Sequence, residues 1–255
     1  MEYASLSNIT KKNQKSIILD YGSIIKNLTS CIEKQNNLIM DYSLHVNFNY
    51  KEDYYPALRG IVYKNSLNLH SALQLIKLGY HSSAAILLRN VFEGFIIIIQ
   101  VIKYDDKKLY KEFYEADFNV KPVSKILNNK KIPNDVKDEI IALWRYLCKK
   151  SHSTIYSMQV GLDYNQMSKD GELVNKNLID FMLGLLTLFV DINWILSRQY
   201  IFDMNCHYIA CEGHKRENKY TQYIYKYNVV EKLYKKYRKS YTKSSEVFIN
   251  FLEKE

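Results

Sequence analysis

The sequence predicts an all-α protein: a helical bundle followed by a basic, Tyr/Lys-rich C-terminal appendage. Three observations predict it. Apolar residues recur at three-to-four spacing over long stretches, the period of a helix face. Turn residues are scarce, with 8 Gly and 3 Pro in 255 residues, too few for a turn-dense β architecture. Apolar residues make up 47% of the chain, enough for a sizeable core and against wholesale disorder. At this length the expectation is one bundle domain over residues 1–203, with the appendage at 204–255 packed on it or extending from it.

The elements follow in order. Leu6–Tyr42 places Ile17, Ile18, Tyr21, Ile24, Ile25, Leu28, Ile32, Leu38 and Ile39 at helical spacing. His45–Asp53 breaks that pattern, and Pro56 then stands where a helix can begin, because its missing N–H would have no partner there. Leu58–Leu78 is again helical and stops near Gly79. Ser82 or Ser83 can cap the next helix, Ala84–Lys103, and so short a connection implies an antiparallel hairpin. Lys107–Phe118 is a charged amphipathic stretch, and Asn119–Pro133 is a loop with at most a short helix. Asn134 or Asp135 caps a helix that runs through Ile141, Trp144 and Cys148 to about Met158. Gly161–Glu172 is a polar connection with a turn at Asp170–Gly171. Leu178–Phe202 is the most hydrophobic helix and the expected centre of the bundle. Within the appendage, Tyr220–Val230 has β-favouring residues and could be extended.

Net charge is +9, and 23 residues are Tyr. Only 6 of the 36 basic residues are Arg, and Lys, Asn, Ile and Tyr share AT-rich codons, so genomic background accounts for most of the bias. The sign still favours acidic partners such as RNA, DNA or a membrane surface. The four Cys have no disulfide-framework spacing, and the N-terminus has no apolar run of a signal peptide. A cytoplasmic protein is expected. The apolar run Val91–Ile102 contains Glu93 and is short, while Leu178–Leu196 contains Asp180 and Asp191. A span needs about 20 mostly apolar residues, so both are expected to be buried helices, with no membrane partner.

Five constellations could carry chemistry. Arg145 and His152, in WRYLCKKSHST, are separated by nearly two helical turns and so share a face. A guanidinium holds phosphate bidentately. An imidazole near neutrality can take a proton from a ribose 2′-OH or return one to a leaving oxygen. Together they suit metal-independent RNA cleavage; the plainer alternative is a solvated Arg and a His satisfied by a neighbour. Arg89 and Glu93 form an i,i+4 pair within an apolar helix, on one stripe with Ser82 and Gln100. They are expected to pair in the bundle interior or else to line a cleft beside Arg145 and His152. Asn177, Asp180, Gly184, Thr187, Asp191 and Arg198 make a polar stripe on the central helix. Its ordinary role is solvent or helix contact, with a cleft role for Asp191 as the alternative. Cys206, His207, Cys211 and His214 could supply zinc ligands, but their order matches no standard zinc motif, and no metal or other cofactor is expected. Finally, Lys215–Lys239 holds Lys215, Arg216, Lys219, Lys226, Lys232, Lys235, Lys236, Arg238 and Lys239 against two Glu, a net +7. Interleaved Tyr residues make that stretch suited to single-stranded RNA, since cations neutralise phosphates and rings stack on unpaired bases.

The hairpin ALRGIVYKNSLNLHSALQLIKLGYHSSAAILLRNVFEGF followed by LWRYLCKKSHST resembles a bacterial family of uncharacterised helical proteins. That family has an LLRSLFE-type helix and then an LSK-x-x-H-x-S-like segment. More distantly, the chain resembles the HEPN superfamily (higher eukaryotes and prokaryotes nucleotide-binding). Those are helical bundles, many of them dimeric ribonucleases with an R-x4–6-H motif in toxin–antitoxin and phage-defence systems. The likeness covers about Leu58 to His152. It implies an RNA-cleaving effector with Arg145 and His152 in the catalytic roles. It also implies a homodimer and an antitoxin or other defence partner, while Arg89 and Glu93 match the helix of the first family. The pattern departs at Tyr146, where active HEPN ribonucleases usually carry a small polar residue. The alternative is a non-enzymatic helical module that binds RNA or a protein.

Overall fold

The computed structural model describes residues 6–43, 54–114, 121–151 and 176–197. Of these, 91% are helical and none is in a strand, so the all-α bundle holds for the described residues. The helices are α1 (Leu6–Ser43), α2 (Tyr54–Lys77), α3 (His81–Lys103), α4 (Lys107–Tyr114), α5 (Pro122–Asn128), α6 (Asn134–Ser151) and α7 (Lys176–Ser197).

The α2–α3 hairpin is set by Gly79, whose φ of 85° is in the left-handed region that glycine tolerates best. Gly79 N donates to Ile76 O at 2.9 Å and Tyr80 N to Leu75 O at 2.8 Å, the paired bonds that close a helix end of this kind. The turn is so tight that Tyr80 O already accepts from Ala84 N at 3.0 Å. Helix α3 therefore begins at His81, and neither Ser82 nor Ser83 caps it; Tyr80 holds the capping position without a side-chain bond. Pro56 lies within the first turn of α2, which starts at Tyr54. Asp106 caps α4, its Oδ1 accepting from Leu109 N at 2.9 Å. In the expected loop, Pro122 opens the short helix α5.

Helices α2 and α7 pack on each other and on both α1 and α3, and α6 covers another side of α3. Tie points give the directions. Thr10 and Tyr80 hydroxyls meet at 2.8 Å, so α2 runs back along α1. Lys176 Nζ lies 2.9 Å from Asp20 Oδ2 and Gln35 Nε2 donates to Val190 O at 3.1 Å, so α7 runs parallel to α1. At the far end of α3, Gln100 Nε2 donates to Pro122 O at 2.8 Å, while Lys125 of α5 pairs with Glu112 of α4. Helix α6 then returns along α3.

The core is aromatic at its centre. Phe189 of α7 stacks on Phe92 with centroids 5.8 Å apart and meets Phe95 edge-on at 5.5 Å. Both α3 and Leu178–Ser197 of α7 are long and apolar enough to cross a membrane, but 67% and 78% of their apolar 18-residue segments are buried inside the protein. Helices enclosed by a bundle have the same composition. Side chains of α2 press on the backbone of α3 at Gly94, where an added Cβ would lie 2.8 Å from Asn65 Oδ1 and 2.9 Å from Ile61 Cγ2.

Candidate functional site

Two faces of α6 define the candidate site. Its inner face, with Val136, Ile140 and Leu147 buried, rests on α3. On the flank of that contact, Arg89 Nε lies 3.3 Å from Glu93 Oε1, with the two side chains 25% and 33% exposed. The Arg89 guanidinium sits over Trp144, 4.7 Å from the ring centroid, and Trp144 stacks on Phe92 at 6.4 Å. A planar cation held by a carboxylate and an aromatic face keeps one orientation. The sequence favoured an interior position for this pair; it lies instead at the half-exposed margin of the α3–α6 seam. The reason is that the polar stripe winds inward along α3, so that only its last member, Gln100, is buried. Cys148 shares this margin. Burial raises its thiol pKa, with Arg89 opposing and Glu93 adding to the rise.

The outer face carries Arg145, Lys149, Tyr146 and Lys150 at adjoining helical positions. Arg145 is exposed and lies on the opposite side of α6 from the core residues. Tyr146 tucks against Phe181 of α7, centroids 4.5 Å apart and planes tilted by 44°. Burial pushes the Tyr146 hydroxyl up to about 12, so it stays protonated at any ordinary pH. Lys150 Nζ lies 5.8 Å from the centre of the Tyr146 ring. Phe181 is 45% exposed. His152 lies just outside the described residues, α6 being helical through Ser151.

Asp191 belongs elsewhere. It is buried on α7 and faces Cys31 of α1. That thiol is raised to about 11 by burial first, with Lys34 opposing and Asp191 adding to the rise. Asp191 is therefore a support between α1 and α7, away from the outer face of α6. The rest of its stripe is split along the helix: Asp180 is exposed while Thr187 is buried, its hydroxyl donating to Leu183 O at 2.8 Å. Arg198, the Cys206, His207, Cys211 and His214 group, and Lys215, Arg216, Lys219, Lys232, Lys235, Lys236 and Arg238 lie outside the described residues. Among the described residues no cluster of His, Cys, Asp or Glu is placed to hold a metal ion.

Sequence reasoning missed three features. Gln35, Ser66 and Asn193 form a buried polar layer, Asn193 Nδ2 donating to Gln35 Oε1 and to Ser66 Oγ, each at 3.1 Å. The available signal was Asn193, set in a strongly apolar helix. His81 is buried, and desolvation lowers its pKa to about 4, which keeps it neutral. Phe181 lies in an apolar run of the sequence, where spacing alone does not single it out.

One comparison bears on this geometry. Residues 57–170 match the model of a family of unknown function, DUF5677. The match covers less than half of the chain and spans α2, α3 and α6, with Arg89, Glu93, Trp144 and Arg145 inside it. It also contains LLRNVFEGF and the segment from Trp144 to His152. No curated protein and no solved structure matches the chain.

Proposed function

We propose that this chain is a metal-independent, RNA-cleaving helical protein, with Arg145 and His152 as its reactive pair. The observation that carries the reading is the setting of Arg145: exposed on the outer face of α6, with no hydrogen bond or ion pair to any described residue. A guanidinium so placed is available to an external anion. Lys149 and Lys150 lie in the last turn of the same helix, where cations also complement the helix dipole. Position 152 follows the last described residue of α6 directly.

In this reading His152 removes the proton of a ribose 2′-OH, whose oxygen attacks the adjacent phosphorus. The bond from phosphorus to the 5′ oxygen breaks, and that oxygen takes up a proton, leaving a cyclic phosphate and a 5′-hydroxyl. Arg145 binds the phosphate and offsets the charge that develops on it. The reading extends to a cytoplasmic homodimer acting in bacterial defence, with an antitoxin or other defence protein as partner. Lys215, Arg216, Lys219, Lys232, Lys235, Lys236 and Arg238 would supply further grip on the RNA backbone.

The deciding experiment incubates the full chain and its His152→Ala variant with RNA in the presence of a chelator. Wild type should cleave, and loss of the acid–base group should slow cleavage by about 100-fold or more. Equal cleavage by both proteins, or none by wild type, sinks the reading. The rival is a module that binds RNA or a protein without cutting, and Tyr146 favours it, because a packed ring occupies the position where a small polar residue usually follows the Arg. That rival predicts salt-sensitive RNA binding that needs Lys232, Lys235 and Lys236 but neither Arg145 nor His152.

A further inference from the structure

The outer face of α6 and the first turns of α7 bring together an exposed aromatic ring and cationic side chains. Phe181 leaves 45% of its area in solvent although it is a large apolar ring. It is propped at a fixed tilt by Tyr146, with ring centroids 4.5 Å apart. Tyr146 is packed against the core on its inner side, so the pair is a braced platform rather than a loose ring. Lys150 Nζ lies 5.8 Å from the centre of the Tyr146 ring, and the same helix exposes Arg145 one position before Tyr146 and Lys149 one turn after it. Among the described residues no acidic side chain is paired with Arg145 or Lys150.

We infer that Phe181, braced by Tyr146, is a stacking site for an unpaired nucleobase, with Arg145 and Lys150 holding the flanking phosphates. An exposed ring offers a π-face that any base can cover, and cations at its edge neutralise the strand that carries the base. A duplex hides its base faces and would use the cations alone. An acidic protein would likewise use the charges and gain nothing specific from an aromatic ring. This inference rests on the RNA reading for the choice of ligand, but the platform itself is independent of cleavage. It also gives Tyr146 a role that a small polar residue in its place could not fill.

The experiment measures binding of a short labelled oligouridylate to the full chain by fluorescence anisotropy, at two salt concentrations. Phe181→Ala should weaken binding about tenfold, in the range seen when a base-stacking ring is removed, and Phe181→Trp should restore it. Lys150→Gln should flatten the salt dependence, by a slope of about 0.7 for one phosphate contact on a single strand. Competition with the matching deoxyoligonucleotide tells whether the base comes from RNA or from single-stranded DNA. Unchanged affinity in Phe181→Ala overturns the inference, as does equal competition by duplex RNA or by a base-free polyanion. The two readings fail separately. Phe181-dependent binding without cleavage removes the ribonuclease and keeps the platform, whereas cleavage with Phe181-independent binding does the reverse.

Discussion

Gln35, Ser66 and Asn193 meet between α1, α2 and α7 with each residue at most 1% exposed, whereas Arg89, Glu93 and Trp144 meet at a seam that solvent reaches. Both clusters tie helices together through polar side chains. Their energetics differ because water can replace the partners in one and cannot in the other. A buried donor or acceptor that loses its partner bears its full desolvation penalty, while a half-exposed ion pair is screened and rehydrated when broken. The inner layer is therefore a fold-specifying device, and the seam can be altered for chemistry without endangering the bundle.

The largest effect should come from the inner layer. Asn193→Ala leaves Gln35 Oε1 and Ser66 Oγ without their donor, and should cost about 3 kcal/mol in urea unfolding through desolvation and the cavity. The combined replacement Gln35→Leu, Ser66→Ala and Asn193→Leu should cost less than that single change, because it removes the polar groups together. If the triple variant is the worse of the two, the layer acts by packing and the contrast with the seam collapses.

Acid should find the buried region next. His81 has a pKa lowered to about 4 by burial, against an ordinary 6.5. Between those values the unfolded chain binds the proton and the folded one does not, so stability is complete above pH 6.5 and falls as pH drops towards 4. The loss amounts to about 3 kcal/mol at most. His81→Gln should flatten that limb of the stability curve, and an unchanged limb would show that another group controls it. At the alkaline end Cys31, raised to about 11 from 9.0, makes stability fall between those two values.

Where α2 packs on α3, Gly94→Ala forces a methyl against the Asn65 and Ile61 side chains. Thermal unfolding should register about 2 kcal/mol of destabilisation, the overpacking outweighing alanine's better helix propensity. At the seam the numbers shrink. A double-mutant cycle on Arg89→Ala and Glu93→Ala should give a coupling of about 0.5 kcal/mol. Coupling of several kcal/mol would place that pair with the interior after all.

Much of this architecture was legible in the sequence because helix formation is local. The apolar spacing of Ile17 to Ile39, the Gly79 stop and the apolar run from Leu178 mark α1, the end of α2 and most of α7 to within a few residues. The i,i+4 relation of Arg89 and Glu93 was legible for the same reason, since one turn of helix puts them side by side wherever the helix lies. The start of α3 was not, because it depends on how tightly the preceding turn closes: the bonds made by Gly79 and Tyr80 leave no room for a serine cap.

What the sequence determined by itself was periodicity, and therefore the helices and the residues that share a face of each. What only the tertiary structure decided was which faces meet. Arg89 rests on Trp144 and Tyr146 on Phe181, while the Gln35 layer draws one side chain from each of three helices. These partners are far apart along the chain, and no local rule couples them. They are joined by the requirement that every helix bury its apolar stripe against another, and the rotation at which each stripe is buried fixes which polar side chains sink and which stay in water.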